Sequence, residues 1–252
     1  MKSTPGGSMA AVILAAGLGT RMKSDKAKVL HALFDRPMIS YVVETARAVV
    51  GEQVVVVVGH QAEQVKAAAS GAGRVAFALQ EEQLGTGHAV LCALDHLPAK
   101  SRHVLILCGD VPLLTAKTLR NMVGGHLQAG RDVTVLAVEL RDPSGYGRIL
   151  LGGERNLMGI VEETDASDLQ RQIKLVNTGI YCVRKDFLAH GLALINTRNA
   201  QGELYLTDII GIGYRERRTM GVAVAADADE TIGINSIHDL AAAQRTLQKR
   251  LK

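Results

Sequence analysis

Residues 13–30, ILAAGLGTRMKSDKAKVL, follow the first apolar run of the chain and combine two glycines, one arginine and three lysines without a histidine. Gly17 and Gly19 allow positive φ and close approach of backbone to a ligand. The N–H groups of such a turn point outward at an anion. Arg21 supplies a planar fork and Lys28 a point charge, both suited to phosphate oxygens. The pattern suits the binding of an anion through phosphate oxygens. Two standard nucleotide motifs fail. G-x-G-x-x-G is broken by Met22, and G-x-x-x-x-G-K-[ST] is absent, so hydride transfer and Walker-type phosphoryl transfer lose support. The eight histidines show no zinc-ligand spacing and no G-x-S-x-G elbow occurs.

A loop of this kind needs a scaffold that presents it. Apolar β-branched runs alternate with helical patterns along the first half of the chain. Strands are expected at Ala10–Ala15, 53–59, 74–79, 103–110 and 132–138. Helices are expected from Pro37, at 61–69, from near Thr86 and at 115–128. The five valines of QVVVVVG fit a strand buried on both faces. The alternation predicts an α/β fold: a Rossmann-like mixed, mainly parallel sheet with helices on both faces. Ligands of such sheets bind beyond the carboxyl ends of the strands. The opening loop and Asp110, about 90 positions apart, both fall there. After residue 140 the pattern changes. RDPSGYGRILL reads as a turn between strands, LMGIVEE and KLVNTGIYCV as strands with some antiparallel pairing, 204–216 as a helix and 219–226 as a strand. A last helix begins at Ser236, where Ser236 and Asp239 form a capping-box pattern.

The 252 residues are 47% hydrophobic, enough for one substantial core. Aromatic residues are scarce, which argues against stacking platforms for single-stranded nucleic acid. The net charge of +4 is dispersed and suits a small anionic substrate better than nucleic acid. Arg215, Arg217 and Arg218 read as a solvated helix end, and Lys249, Arg250 and Lys252 as a frayed tail. Cys92, Cys108 and Cys182 are odd in number and lack C-x-x-C spacing. They read as free thiols of a reducing cytoplasm, with Cys108 and Cys182 buried in strands. No apolar stretch reaches about 18 residues, so no membrane span is expected. The opening MKSTPGGSM lacks a signal-peptide h-region, and residues 1–9 read as a flexible leader.

LAAGLGTRM with Lys28, QEEQLGTGHA (80–89), CGDVPLL (108–114), GYGRI (145–149), GIVEE (159–163), NTGIY (177–181) and NAQGELYLTDII (199–210) occur in order. Together, over about residues 10–245, they resemble the bacterial N-acetylglucosamine-1-phosphate uridylyltransferases, members of the nucleotide-sugar pyrophosphorylases. The resemblance implies the nucleotide-diphospho-sugar transferase fold. Its nucleotidyltransferase domain would span 10–235, with a nucleotide part at about 10–140, a sugar part at about 141–235 and a terminal helix at 236–252. It implies Mg²⁺-assisted attack of N-acetylglucosamine 1-phosphate on the α-phosphate of UTP. Arg21 and Lys28 would neutralise phosphates. Leu14, Ala15, Ala16, Gly17, Gly19 and Gly109 would line the nucleotide, and Gln80, Gln83, Gly85 and Thr86 would read the base. Asp110 and Asn235 would hold the metal. Gly147, Glu162, Asn177, Tyr205 and Thr207 would surround the sugar, with Glu163 an adjacent alternative to Glu162.

Three departures accompany the resemblance. The proline common before the lysine is Ala27 here, which loosens the loop, and His88 reads as structural. Cys108 stands where relatives carry a larger polar side chain, so a side-chain contact to nucleotide there is not implied. The hexapeptide repeats of an acetyltransferase β-helix are missing, so the expectation is one activity and a monomer. Two other readings stay open: a nucleotidyltransferase for another sugar phosphate or base, and a nucleotide-binding regulator without turnover.

Overall fold

The structure, a computed structural model, describes residues 8–22, 24–153 and 156–250. Residues 1–7 of the expected leader, and Lys252 of the expected tail, lie outside the described residues. Met9 is not leader: it is the first residue of strand β1 (Met9–Ala15) and pairs with His103.

Two short strands, β2 (Ala32–Leu33) and β3 (Arg36–Pro37), form a hairpin beside helix α1 (Met38–Val50). Pro37 is therefore the residue before the helix rather than its first turn. Strand β4 (Val54–Val58), helix α2 (Ala62–Gly71), strand β5 (Ala76–Leu79), helix α3 (Thr86–Ala93), strand β6 (His103–Cys108), helix α4 (Ala116–Gln128) and strand β7 (Val133–Glu139) continue the alternation. The second half adds β8 (Arg148–Leu151), β9 (Leu157–Val161), a single turn α5 (Asp168–Arg171), β10 (Leu175–Arg184), α6 (Lys185–Leu194), α7 (Asp208–Arg215), β11 (Met220–Val224) and α8 (Ile237–Arg250).

The main sheet runs β11-β7-β10-β6-β1-β4-β5, with β8 and β9 joined to it through β10. Strand β1 is parallel to β4 and β6, β4 to β5, and β7 to β11. Strand β10 runs antiparallel to both β6 and β7. The mixed, mainly parallel sheet predicted from the alternation is thus the fold. Side chains alternate across it: Ile13, Val56 and Leu105 enter one apolar layer with α1, α2 and α4, while Val12, Val55, Val57 and Ile106 enter the other with α3, α6 and α7. All five valines of β4 are buried, which explains why that strand shows no polar alternation.

Three expectations are corrected. Helix α6 was not anticipated, because β10 runs straight into it without a turn signal. Asp186 makes the transition by accepting from the Arg184 guanidinium and from the Phe187 N–H. The helix expected at 204–216 begins only at Asp208, the preceding residues being a strap described below. Arg250 is no frayed tail residue. It donates to the Leu113 carbonyl at 2.8 Å and pairs with Asp227 at 2.9 Å, holding α8 over an apolar layer of Leu33, Met38, Leu113, Ile234 and Ala243. The reciprocal Ser236–Asp239 bonds that open α8 are present as expected.

At the far end of the sheet, fully buried His126 links His103, at 2.9 Å, to Thr134 Oγ1, at 3.0 Å. Burial pushes the His126 imidazole down to about 4, and the neighbouring His103 and Arg131 act in the same direction. The folded protein therefore keeps His126 neutral while the unfolded chain protonates it near 6.5. Stability from this site is full above pH 6.5 and falls as the pH drops towards 4, by up to roughly 3 kcal/mol. Replacement His126→Leu is expected to lower the urea midpoint at pH 7 yet flatten its decline between pH 6.5 and 4. An unchanged acid slope in the variant would exclude this origin.

Candidate active site

Because β1, β4, β5 and β6 are parallel, their C-terminal ends share one edge, and the turns after Ala15, Val58, Leu79 and Cys108 emerge together. A cleft of about 310 Å³ opens there. Its wall includes Leu14, Ala15, Ala16 and Gly17 from the first turn, Lys28, Asp110, and Gln80, Gln83, Gly85 and Thr86 from the loop after β5. Gly109 is packed beneath, with its N–H donating to the Leu14 carbonyl at 2.9 Å. Met22, which breaks the dinucleotide motif, is buried and pins the loop through its N–H to the Gly19 carbonyl.

The polar centre lies where three distant segments meet. The Lys28 ammonium donates to Asp110 Oδ2 and, at 3.0 Å, to Asn235 Oδ1. Arg21 Nη2 donates to the same Asn235 oxygen at 2.9 Å. The Ile234 N–H donates to the Asp110 carbonyl at 2.9 Å, which fixes the Asn235 turn against the end of β6. Gly19, at φ +69°, is packed on Lys28 so closely that a Cβ there would stand 2.5 Å from the Lys28 Cβ. Asp110 and Asn235 thus aim hard oxygens at one point, already matched to a cation. Among the described residues no cluster of three His, Cys, Asp or Glu side chains offers a fuller metal cage.

The loop after β5 is held from inside. Gln80 is buried, and its amide nitrogen donates to the Gly85 carbonyl at 3.1 Å and lies 3.2 Å from His88 Nδ1. Residues 199–207 lie across this loop as a strap. Leu204 N–H donates to Leu84 O, Gly87 N–H to Leu204 O, and Leu206 N–H to Thr86 Oγ1. The strap continues to Thr207, whose hydroxyl donates to Glu162 Oε1 at 3.0 Å. Gly147 sits against the same carboxylate, and its carbonyl accepts from the Asn177 N–H. Burial raises the Glu162 carboxyl above its usual range, opposed by the Thr207 bond. Asn177 donates to the buried Tyr181 hydroxyl at 2.7 Å. Tyr205 donates to Gln201 within the strap.

The two adjacent acids separate cleanly. Glu163 pairs with buried Arg148 at 2.7 Å and accepts from the Gly145 N–H, so it holds the 145–148 turn together. Glu162, one residue earlier, takes the other side and joins Gly147 and Thr207. The expectation that Cys108 is a buried strand thiol is corrected: it is only half-buried and lines the cleft, 3.5 Å from the Gly179 carbonyl. Three contributors were not foreseen. Glu203 lines the cleft from the strap. Gly233 leaves room beside Asp110 and Asn235. Burial pushes the Tyr146 phenol up, with Asp239 and Asp110 adding to the shift and the Gly233 N–H opposing it. The GYGRI stretch contained Tyr146, but nothing in its local pattern pointed to a partner 87 positions away.

Residues 11–176 match the MobA-like NTP transferase domain. The chain belongs to the MobA-like NTP transferase family. It is 48% identical to the bifunctional protein GlmU of Trichlorobacter lovleyi, over 96% of this chain and 53% of that protein. It is 46% identical to GlmU of Geobacter metallireducens, over 97% of this chain and 52% of that protein. For GlmU of Desulfotalea psychrophila the identity is 43%, over 96% of this chain and 71% of that protein. The chain therefore spans about half the length of most of these relatives, and it is a nucleotidyltransferase of the GlmU group. The matched NTP transferase region contains the glycine loop, Lys28, the loop after β5, Asp110 and Glu162. It ends before Asn177, the strap and Asn235. No helix among the described residues is long and apolar enough to cross a membrane.

Two glycines of this NTP transferase separate a constraint of the chain from one of the ligand. Gly19→Ala places a Cβ against Lys28 in a left-handed conformation that costs about 1–2 kcal/mol. Nucleoside triphosphate affinity, measured by calorimetry, is expected to fall at least tenfold, with a modest loss of thermal midpoint. Gly17→Ala meets no protein atom within 4 Å, so its midpoint should match the parent and any lost affinity reports the ligand alone. Unchanged affinity in Gly19→Ala would detach the loop from nucleotide binding.

Proposed function

We propose that this chain transfers UMP from UTP to N-acetylglucosamine 1-phosphate, giving UDP-N-acetylglucosamine and pyrophosphate. The observation that carries the reading is the convergence of Arg21, Lys28, Asp110 and Asn235 at the mouth of a cleft walled by the glycine loop and by Gln80, Gln83 and Thr86. An oxygen of the sugar phosphate forms a bond to the α-phosphorus as the α–β bridging bond breaks and pyrophosphate leaves. No covalent enzyme intermediate is needed, so the chain's work is positioning and charge neutralisation. The N–H groups of the Ala15–Gly19 turn and the Arg21 and Lys28 cations hold the triphosphate. Loss of one well-aimed cation costs on the order of 3 kcal/mol in the barrier.

Two oxygen donors, one carboxylate and one amide, fit Mg²⁺, which takes few protein ligands and completes its shell with water and phosphate oxygens. Asp110 and Asn235 would hold it, and when bound it supplies charge neutralisation at the phosphates. In the uracil reading, the loop after β5 presents amides that pair with a carbonyl and an imide N–H. On the sugar side, Glu162, Asn177 and Thr207 with the Gly147 backbone offer acceptors and donors for hydroxyls and an N-acetyl group, while Tyr205 braces the strap.

With Mg²⁺, each common NTP and a panel of sugar 1-phosphates, pyrophosphate release is expected to be fastest for UTP with N-acetylglucosamine 1-phosphate. Equal rates with glucose 1-phosphate would overturn the sugar assignment, and triphosphate binding without any release would favour a regulator. Asp110→Ala should remove nearly all turnover while circular dichroism stays unchanged; wild-type rates in that variant would refute the metal role.

A further inference from the structure

The segment leading into Lys28 is held by a side chain from a different part of the fold. Gln61 lies in the turn after β4 and is one of few non-glycine residues with positive φ, at φ 51° and ψ 42°. Its amide oxygen accepts from the Ala27 N–H at 2.8 Å, and its amide nitrogen donates to the Asp25 carbonyl at 2.9 Å. The same Asp25 carbonyl lies 3.4 Å from His60 Nε2. The turn that carries Gln61 is itself rigid: the His60 N–H donates to the Ala16 carbonyl, and Gly59 is packed against Ala16 and the Gln80 backbone. One amide therefore bridges the outgoing and incoming edges of the Asp25–Ala27 turn and ties it to the end of β4.

We infer that Gln61 is a positioning residue for the Lys28 cation, a reading that rests on the nucleotidyltransferase function above. Ala27 has φ −52°, a value proline also adopts, but its N–H is a donor that proline lacks. The Gln61 amide uses that donor and fixes, through two hydrogen bonds, a stretch that a ring would otherwise stiffen. Ala27 is fully buried, so once its N–H is held the direction of the next side chain, Lys28, is set. Gly19 packs on the Cα and Cβ of Lys28. The base of the Lys28 side chain is thus set by the Gly19 contact and by the latched Ala27 N–H. The strained conformation of Gln61 is kept because the latch needs the amide aimed back at the loop rather than along α2.

Asparagine also tolerates positive φ, so Gln61→Asn preserves the turn while shortening the side chain by one methylene, too short to reach both partners. Gln61→Gly serves as a second variant with no amide and no backbone strain. Both are expected to weaken triphosphate binding five- to tenfold and to raise the KM for nucleotide by a similar factor. The KM for the sugar phosphate should stay within twofold, as should the thermal unfolding profile relative to the parent. In a Lys28→Ala background the same Gln61 substitutions should change triphosphate affinity less than twofold, because the group they position is gone. Equal losses in both backgrounds, or a parallel rise in both KM values, would overturn the inference. The affinity cycle is read on whichever triphosphate the parent binds most tightly. A failure of the uridine or sugar assignment therefore shows in the parent protein, and a failure of the latch shows only in the cycle.

Discussion

The active end of this molecule is organised by a single ammonium group. Lys28 reaches the carboxylate of Asp110, 82 positions along the chain, and the amide oxygen of Asn235, 207 positions along it. Without that cation, a half-buried carboxylate and an amide oxygen would face each other with nothing to share, and the 233–235 turn would lose its reason to close on the end of β6. With it, the end of the central strand, the segment after the glycine loop and the entry to α8 become one unit. Arg21 and Lys28 put two cations beside the carboxylate of Asp110, with Glu203 a second acid on the cleft wall.

The sheet makes that convergence possible, and one reversed strand extends it. Parallel strands deliver their C-terminal turns to a common edge, which accounts for the glycine loop, the loop after β5 and Asp110. Asn177 and its neighbours arrive differently. Strand β10 is antiparallel to β6, so its first residues, not its last, lie at that edge. A register shift between Asn177 and Ile180 interrupts its pairing with β7 there. Gly179 sits in the shift at φ +76°, where a Cβ would come within 2.7 Å of Cys108 Sγ. Bulges beside active sites re-aim side chains. Here Asn177 stays paired with Ala137 as the last residue before the shift, its amide nitrogen donating to the Tyr181 hydroxyl and its amide oxygen accepting from the Gly179 N–H.

Much of this was legible in the sequence, for reasons that differ between residues. The β–α alternation is a periodicity signal, and the valine run of β4 states its own burial. The loop glycines, Arg21, Lys28 and Asp110 carry chemistry that local pattern alone exposes. The rest depended on tertiary placement. Glu162 and Glu163 are chemically identical and lie just past the end of β9, so only their tertiary partners separate the acid beside Thr207 from the one paired with Arg148. Helix α6 has no break before it. The stretch before Asp208 is apolar enough to read as helix, yet its backbone groups are spent on the loop after β5. Tyr146 and Gln61 act across dozens of positions and leave no local trace. Ala27 looked like a loosened proline site, and only the structure shows what holds it instead.

The strap at 199–207 gives the fold a constraint that neither half of the site has alone. It bonds the loop after β5 through Leu204 and Leu206, and reaches Glu162 through Thr207. At its start the Ala200 N–H donates to Asp165, two residues beyond Glu163. Both ends of the cleft therefore lean on the same nine residues. Residues joined through a shared backbone segment do not contribute independently to stability or to recognition. Gly85, where a Cβ would press to 2.6 Å from the Leu204 carbonyl, shows how little room the arrangement leaves for adjustment on one side without movement on the other. The loop after β5 and the Glu162 side of the cleft are thus mechanically coupled in this scaffold. A substitution that shifts one of them must carry a compensating change in the strap.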